Sequence, residues 1–268
     1  MAWMTANGIS VRYELSGQGG PLIVLLHEMG GTLDSWDGIA PVLGRKFRTL
    51  RYDQRGAGLS EKVRTPFTHE TLVDDLAAVL DGLHLAPPFH FVTVAGSTAQ
   101  ALSFMDRHPG AIGSFAFCNP LTGVDPARAG ALTERAALVE RAGLRAALAV
   151  TLDKSWPPDF ADRAAYEAYR GRYLANDPFC FGAANRALAQ TDVRHLVKSI
   201  ACPILIVAGR FDQVRPAAQS EELARNIPGA RFAMIDAGHM LSAQAPAVLL
   251  PLLEDFLSQV AVAGQHAG

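Results

Sequence analysis

Cysteine is scarce: Cys118, Cys180 and Cys202 are the three in 268 residues, an odd number with no C-x-x-C spacing. That leaves little basis for a disulfide framework or a thiolate zinc site, and the three read as buried thiols. An excess of charge is missing as well. With 24 Lys and Arg against 26 Asp and Glu, the net charge is −2, which supplies no field to draw a polyanion, so nucleic acid is not an expected partner. No apolar run approaches the roughly 18–20 residues of a membrane span, and Met1–Asn7 lacks the basic-then-apolar order of a signal peptide. No membrane partner is therefore expected, and the expected location is the cytoplasm. Internal repeats, metal-ligand clusters, phosphate-cradling loops and dinucleotide fingerprints are absent from the sequence. Neither a metal nor a cofactor is expected.

What the chain does contain is apolar residue, 49% against 19% charged, enough to build a sizeable core. Short apolar runs at Leu22–Leu26, Arg48–Tyr52, Phe89–Val94, Ser114–Cys118, Pro203–Val207 and Arg231–Ile235 read as strands. The amphipathic stretch Leu72–Leu85 between two of them sets a βαβ rhythm. Runs this short and continuous suit a parallel sheet covered on both faces. Between Cys118 and Pro203 the strand pattern stops and Ala, Arg, Leu and Glu dominate. Pro126, Pro157-Pro158 and Pro178 divide this stretch into about four short helices. The expected organisation is an α/β core over 1–120, a helical cap or lid over 121–195, the rest of the core over 196–260, and a frayed tail over 261–268.

Two motifs near the C-terminus carry chemistry. Gly209-Arg210-Phe211-Asp212-Gln213-Val214-Arg215-Pro216 follows one strand, and Ala237-Gly238-His239-Met240 follows the next. An Asp and a His at successive strand ends suit a proton-transfer pair, the carboxylate orienting the imidazole. His27-Glu28-Met29-Gly30-Gly31-Thr32 follows the first strand of the rhythm, and Tyr52-Asp53-Gln54-Arg55-Gly56-Ala57-Gly58-Leu59-Ser60 follows the second. With these four segments in this order, the chain resembles the α/β-hydrolase superfamily. The resemblance implies an α/β-hydrolase fold, catalysis without a cofactor, Asp212 and His239 as catalytic residues, and a His27–Gly30 loop that supplies an oxyanion-hole donor. It implies a structural role for Asp53 and Arg55. The superfamily usually has Gly just after the His, and here Glu28 stands in its place.

The nucleophile position is open between two registers. The family signature is Gly-x-Ser-x-Gly at a sharp strand-to-helix turn, and this chain reads Ala95-Gly96-Ser97-Thr98-Ala99. With Ser97 as nucleophile, Ala95 and Ala99 fill the small positions, Ser97, Asp212 and His239 form a triad, and the Thr98 N–H donates to the oxyanion. With Ala95 in the serine's place, the distance to Arg107-His108-Pro109 is the usual one. Chemistry favours Ser97 and spacing favours Ala95.

The expected activity is hydrolysis of a small carbonyl compound, an ester, a lactone or a C–C bond next to a ketone, with Ser97 attacking and His239 moving protons. One alternative is a nucleophile-less enzyme, such as a lyase, decarboxylase or cofactor-free oxygenase, in which His239, Asp212 and Glu28 do acid–base chemistry. The other is a non-catalytic binding protein. Gly96, next to the turn, joins His27, Glu28, Met29, Gly30, Ala95 and Thr98 as an expected oxyanion or substrate-binding position. His84 and His90 read as structural, and Trp36, Trp156, Phe160, Tyr166, Tyr169, Tyr173 and Phe179 as packing or cleft lining.

Overall fold

The structure, a computed structural model, describes residues 1–156 and 162–265. Ala2–Ala6 (β1) and Ile9–Ser16 (β2) pair antiparallel. The hairpin closes through Asn7 and Gly8, both in the left-handed region at φ 44° and 75°, as a two-residue turn demands. This hairpin is not among the expected strands. Its residues mix buried and exposed positions, so it offers no continuous apolar run.

The other strands are Leu22–Leu26 (β3), Arg48–Tyr52 (β4), Phe89–Val94 (β5), Ile112–Cys118 (β6), Ile204–Gly209 (β7) and Arg231–Ile235 (β8). The eight form one sheet in the order β1-β2-β4-β3-β5-β6-β7-β8. β2 runs antiparallel to β4, and β3 to β8 are mutually parallel. Along β3 the period of two divides the apolar run between two cores. Leu22, Val24 and Leu26 enter one with Phe91, Phe115 and Ile206; Ile23 and Leu25 enter the other with Val92, Ala116 and Leu205.

Helices fill both faces. After the short α1 (Ala40–Leu43), α2 (His69–Gly82) packs on the first face through Val73, Leu76, Val79 and Leu80. It begins before the expected Leu72 because Thr68 and Thr71 form a capping box. α3 (Ser97–Arg107) joins it through Ala101, Leu102 and Phe104. Between β6 and β7 lie α4 (Pro126–Ala142), α5 (Leu152–Ser155), α6 (Arg163–Leu174) and α7 (Pro178–Ala189). α8 (Ala217–Arg225) connects β7 to β8, then α9 (Leu241–Gln244) and α10 (Pro246–Gln265) follow, with Leu249, Leu253 and Phe256 packed on the second face. The helix continues to Gln265 where a tail from 261 is expected, because its apolar stripe extends to partly buried Val260 and Ala261. The expected breaks at Pro157-Pro158, the ring of Phe160 and the last three residues of the expected tail lie outside the described residues.

The inserted helices sit over the C-terminal ends of the parallel strands. Tyr169 OH donates to Glu28 Oε1 at 2.6 Å, Asn176 Nδ2 to the Gly30 carbonyl at 3.0 Å and Cys180 Sγ to the Val63 carbonyl at 3.3 Å. That edge is where loops of a parallel sheet assemble ligand sites. Among the described residues no helix is long and apolar enough to cross a membrane, and no cluster of His, Cys, Asp and Glu could hold a metal ion. The cysteines are free; Cys118 and Cys180 are buried and Cys202 half-buried. Burial pushes the Cys118 thiol up to about 12.

His90, in the middle strand of the sheet, shares a 2.9 Å hydrogen bond between Nδ1 and Ser114 Oγ. Burial holds its imidazole below the ordinary 6.5. Burial lowers His69 in the same sense, with Arg107 adding to it. Each folded-state value lies below the unfolded one, so stability is full above about pH 6.5 and is lost as pH falls from there toward the depressed value. The urea midpoint is expected to fall between pH 8 and pH 5.5, and to fall less in His90→Gln. Equal drops in the two proteins would remove His90 from this account.

Candidate active site

The chain turns from β5 into α3 through Ala95 and Gly96. Ala95 is held at φ 54°, a conformation that costs an L-residue ~1–2 kcal/mol. Its N–H donates to the Cys118 carbonyl at 3.0 Å, and its carbonyl accepts from Leu121 N–H at 3.1 Å. Both bonds tie the bend to the end of β6. The apex is therefore Ala95, the register that spacing favours.

Ser97 lies two residues on, in the first turn of α3, and is 5% exposed. Its Oγ accepts from Val94 N–H at 3.0 Å, and its hydroxyl proton is shared between the carbonyls of Val94 (2.9 Å) and Leu26 (3.0 Å). It braces β3 against β5 and makes no hydrogen bond to His239. This corrects the register that places Ser97 at the apex. The Thr98 N–H, expected as an oxyanion donor in that register, is spent on the Ala95 carbonyl at 3.1 Å, and its hydroxyl bonds Thr93 Oγ1 at 2.9 Å. A residue in the first helical turn points back toward the strand it leaves, which is why neither side chain reaches the cavity that His239 lines.

Asp212 and His239 do meet. His239 Nδ1 lies 2.7 Å from Asp212 Oδ2. The other oxygen, Oδ1, accepts from the N–H groups of Val214 (2.7 Å) and Arg215 (2.8 Å). The carboxylate is thus fixed in one orientation, and the bond from Nδ1–H leaves the lone pair on Nε2. Nε2 has no partner among the described residues. His239 lines a cavity of about 430 Å³ together with Glu28, Met29, Ala95, Gly96 and Tyr173. Ser97 lines an adjoining, smaller cavity of about 70 Å³ that shares Met29, Gly96, Phe181 and Leu188 with it.

Two backbone donors belong to residues that line the larger cavity. The N–H groups of Met29 and Gly96 have no acceptor among the described residues, the arrangement an oxyanion hole requires. His27 is not a donor there. Its Nδ1 donates to the Glu28 carbonyl at 2.8 Å and its Nε2 accepts from Gln54 N–H at 3.0 Å, locking the β3 and β4 loops together. Gly30, at φ 85°, turns the loop beneath Tyr173.

Glu28, 1% exposed, is turned inward. Its Oε1 accepts from Ser35 Oγ (2.8 Å) and Tyr169 OH (2.6 Å), while Oε2 has no partner among the described residues. A Cβ at position 31 would collide with Oε1, so Gly31 makes the space. Burial and the Glu28 charge together push the Tyr169 phenol well up, which keeps it a donor.

A family model described as "alpha/beta hydrolase fold" matches residues 21–246. The chain belongs to the α/β-hydrolase fold family. It is 25% identical over 253 residues to 3-oxoadipate enol-lactonase 2 of Acinetobacter baylyi, with 91% of each chain covered. A hydrolase from Pseudomonas aeruginosa is 30% identical, superposes with a TM-score of 0.87, and covers 96% of this chain and 97% of its own. The enol-lactonase of Burkholderia xenovorans is 27% identical with a TM-score of 0.88, covering 96% of this chain and all of its own. Full-length likeness to named hydrolases makes this α/β-hydrolase fold chain a hydrolytic enzyme.

In this α/β-hydrolase fold chain the β4 loop is structural. Asp53 accepts from the N–H groups of Leu33 (2.7 Å) and Leu59 (2.8 Å), and Arg55 reaches Asp75 on α2 at 2.6 Å. Trp36 is fully buried in the second core, and Trp156 packs against both Tyr166 and Tyr169. Asn119 is absent from the expected residues, yet it joins the dyad's two loops. Fully buried at the end of β6 with φ 46°, it donates through Nδ2 to the carbonyls of Gly238 (3.0 Å) and His239 (3.1 Å), and Oδ1 accepts from Gly209 N–H (2.8 Å). An Asn directly after an apolar strand, before Pro120, is the only signal the sequence carries for it.

Proposed function

We propose that this enzyme hydrolyses a small carbonyl compound, an ester or lactone, through water activated directly by His239 and without a serine nucleophile. The observation that carries the reading is the methyl of Ala95 at the apex of the turn. His239 Nε2 takes a proton from water as its oxygen bonds to the substrate carbonyl carbon. The developing oxyanion accepts from the N–H groups of Met29 and Gly96. Collapse breaks the bond to the leaving oxygen, which receives the proton from the imidazolium that Asp212 stabilises. The helices between β6 and β7 act as a lid that limits water to the reacting molecule.

Glu28 supports a second reading, in which the dyad removes a proton from the substrate and Oε2 binds or relays it, as in a lyase, decarboxylase or cofactor-free oxygenase. Isotope separates the two: turnover in ¹⁸O-water puts one label into the product under hydrolysis and none under proton abstraction. Ser97→Ala tests the role of the serine. It is expected to keep kcat within about threefold while lowering stability by ~1–2 kcal/mol, since the Val94 N–H and Leu26 carbonyl lose a partner. A loss of several orders of magnitude in kcat with folding intact would restore Ser97 as nucleophile.

A further inference from the structure

The cavity that holds His239 is also lined by Arg128, Arg135 and Arg215. Arg128 and Arg135 stand on α4, where positions 128, 131, 132 and 135 all face the cavity as one helical stripe. Arg215 follows the dyad aspartate by three residues, and its own N–H is one of the donors to Asp212. All three side chains are half-buried.

None of the three has a carboxylate partner among the described residues. Arg128 donates to the Val214 carbonyl (2.9 Å), Arg135 to Asn185 Oδ1 (2.6 Å) and Arg215 to the Pro120 carbonyl. Each partner is neutral, and most of the five N–H groups of each guanidinium stay unused. Elsewhere the shielded arginines are treated differently: Arg12, Arg51 and Arg55 each hold a carboxylate within 3.3 Å. Arg128 also repels each of the other two. Burial, then the charge of Arg128, pushes Arg215 down to about 10 against the opposing charges of Asp212 and Asp125, and burial lowers Arg135, with Tyr173 opposing and Arg128 adding to it. Among the lining residues the sole acid is Glu28, whose Oε1 is already engaged.

Half-buried cations without a counter-ion beside a catalytic dyad are costly unless a ligand neutralises them. We propose that the substrate carries a carboxylate, separate from the carbonyl that reacts, and that Arg128, Arg135 and Arg215 bind it. A planar carboxylate matches the guanidinium fork. The cavity volume, about 430 Å³, suits a compact acid. The proposal rests on this cavity being the substrate pocket, and it names the substrate class that the hydrolytic reading leaves open.

Calorimetric titration tests it with butyrate, succinate, glutarate and adipate, each against its neutral amide, and with propyl phosphate. At least one acid is expected to bind ~tenfold or more tightly than its amide, with affinity falling as salt rises. Arg135→Gln and Arg128→Gln should each cut that preference several-fold, and the double variant should abolish it in a protein that still unfolds cooperatively. His239→Ala should keep the preference, which separates binding from the hydrolytic mechanism: loss of activity there with the preference intact supports both. Acids that bind no better than their amides would overturn the proposal even if the dyad mechanism holds. So would a preference for propyl phosphate over every carboxylate, or a double variant that binds acids as wild type does.

Discussion

Ala95→Ser is expected to create an acylable enzyme, whereas the wild type is expected to stay unlabelled by a fluorophosphonate. The backbone at position 95 already has the φ of 54° that a strand-to-helix nucleophile turn requires, and serine brings no more steric conflict there than alanine. A hydroxyl added to this Cβ enters the cavity that His239 lines. Asp212 already fixes the imidazole at 2.7 Å, and the proposed mechanism has the Met29 and Gly96 N–H groups receive the oxyanion. On the proposed mechanism, the attacking oxygen is the one part of an acyl-transfer site that the substitution has to add. Hydrolysis of p-nitrophenyl acetate is expected to rise by on the order of 10²-fold with a pre-steady-state burst, and intact mass should show one fluorophosphonate adduct at position 95. The native reaction should slow, because the new oxygen occupies the space of the attacking water. A folded variant with neither burst nor adduct would show that Ala95 does not stand where a nucleophile would work.

His239→Ala is expected to lower kcat on the native substrate by on the order of 10³–10⁴. Among the described residues no other histidine lines that cavity, and His27, on the neighbouring loop, has both ring nitrogens engaged. Asp212→Asn should cost nearly as much for a different reason. An amide facing Nδ1 donates where the carboxylate accepts, so the ring takes its proton on Nε2 and ceases to be a base. The Val214 and Arg215 N–H groups can still bond the amide oxygen, so the loop should stay folded. Steady-state kinetics with matched unfolding midpoints checks both. Retention of kcat within tenfold in His239→Ala would sink the dyad as the proton-transfer group.

The parallel strands were legible because a strand covered on both faces must be apolar at consecutive positions, as Leu22–Leu26 is. The β1–β2 hairpin was not, since an edge hairpin half in solvent needs no such run, although Asn7-Gly8 marks its turn. Asp212 and His239 were legible as a pair because strand ends in a parallel sheet converge on one edge. Asn119 escaped notice because its role comes from three backbone partners, Gly209, Gly238 and His239, that are remote in sequence. Similarly, Arg128, Arg135 and Arg215 are ordinary arginines in the sequence, and their lack of counter-ions exists only once α4 is set against the β7 loop.

The sequence by itself determined the α/β-hydrolase fold and the pairing of Asp212 with His239, because hydrophobic period and motif order are properties of the chain. It left Ala95 and Ser97 in balance. Only the tertiary structure decided that turn: the bonds from Ala95 to Cys118 and Leu121 put the left-handed residue at 95. The same packing folds Ser97 back against β3 and β5, and which side chain meets the cleft depends on that single backbone angle.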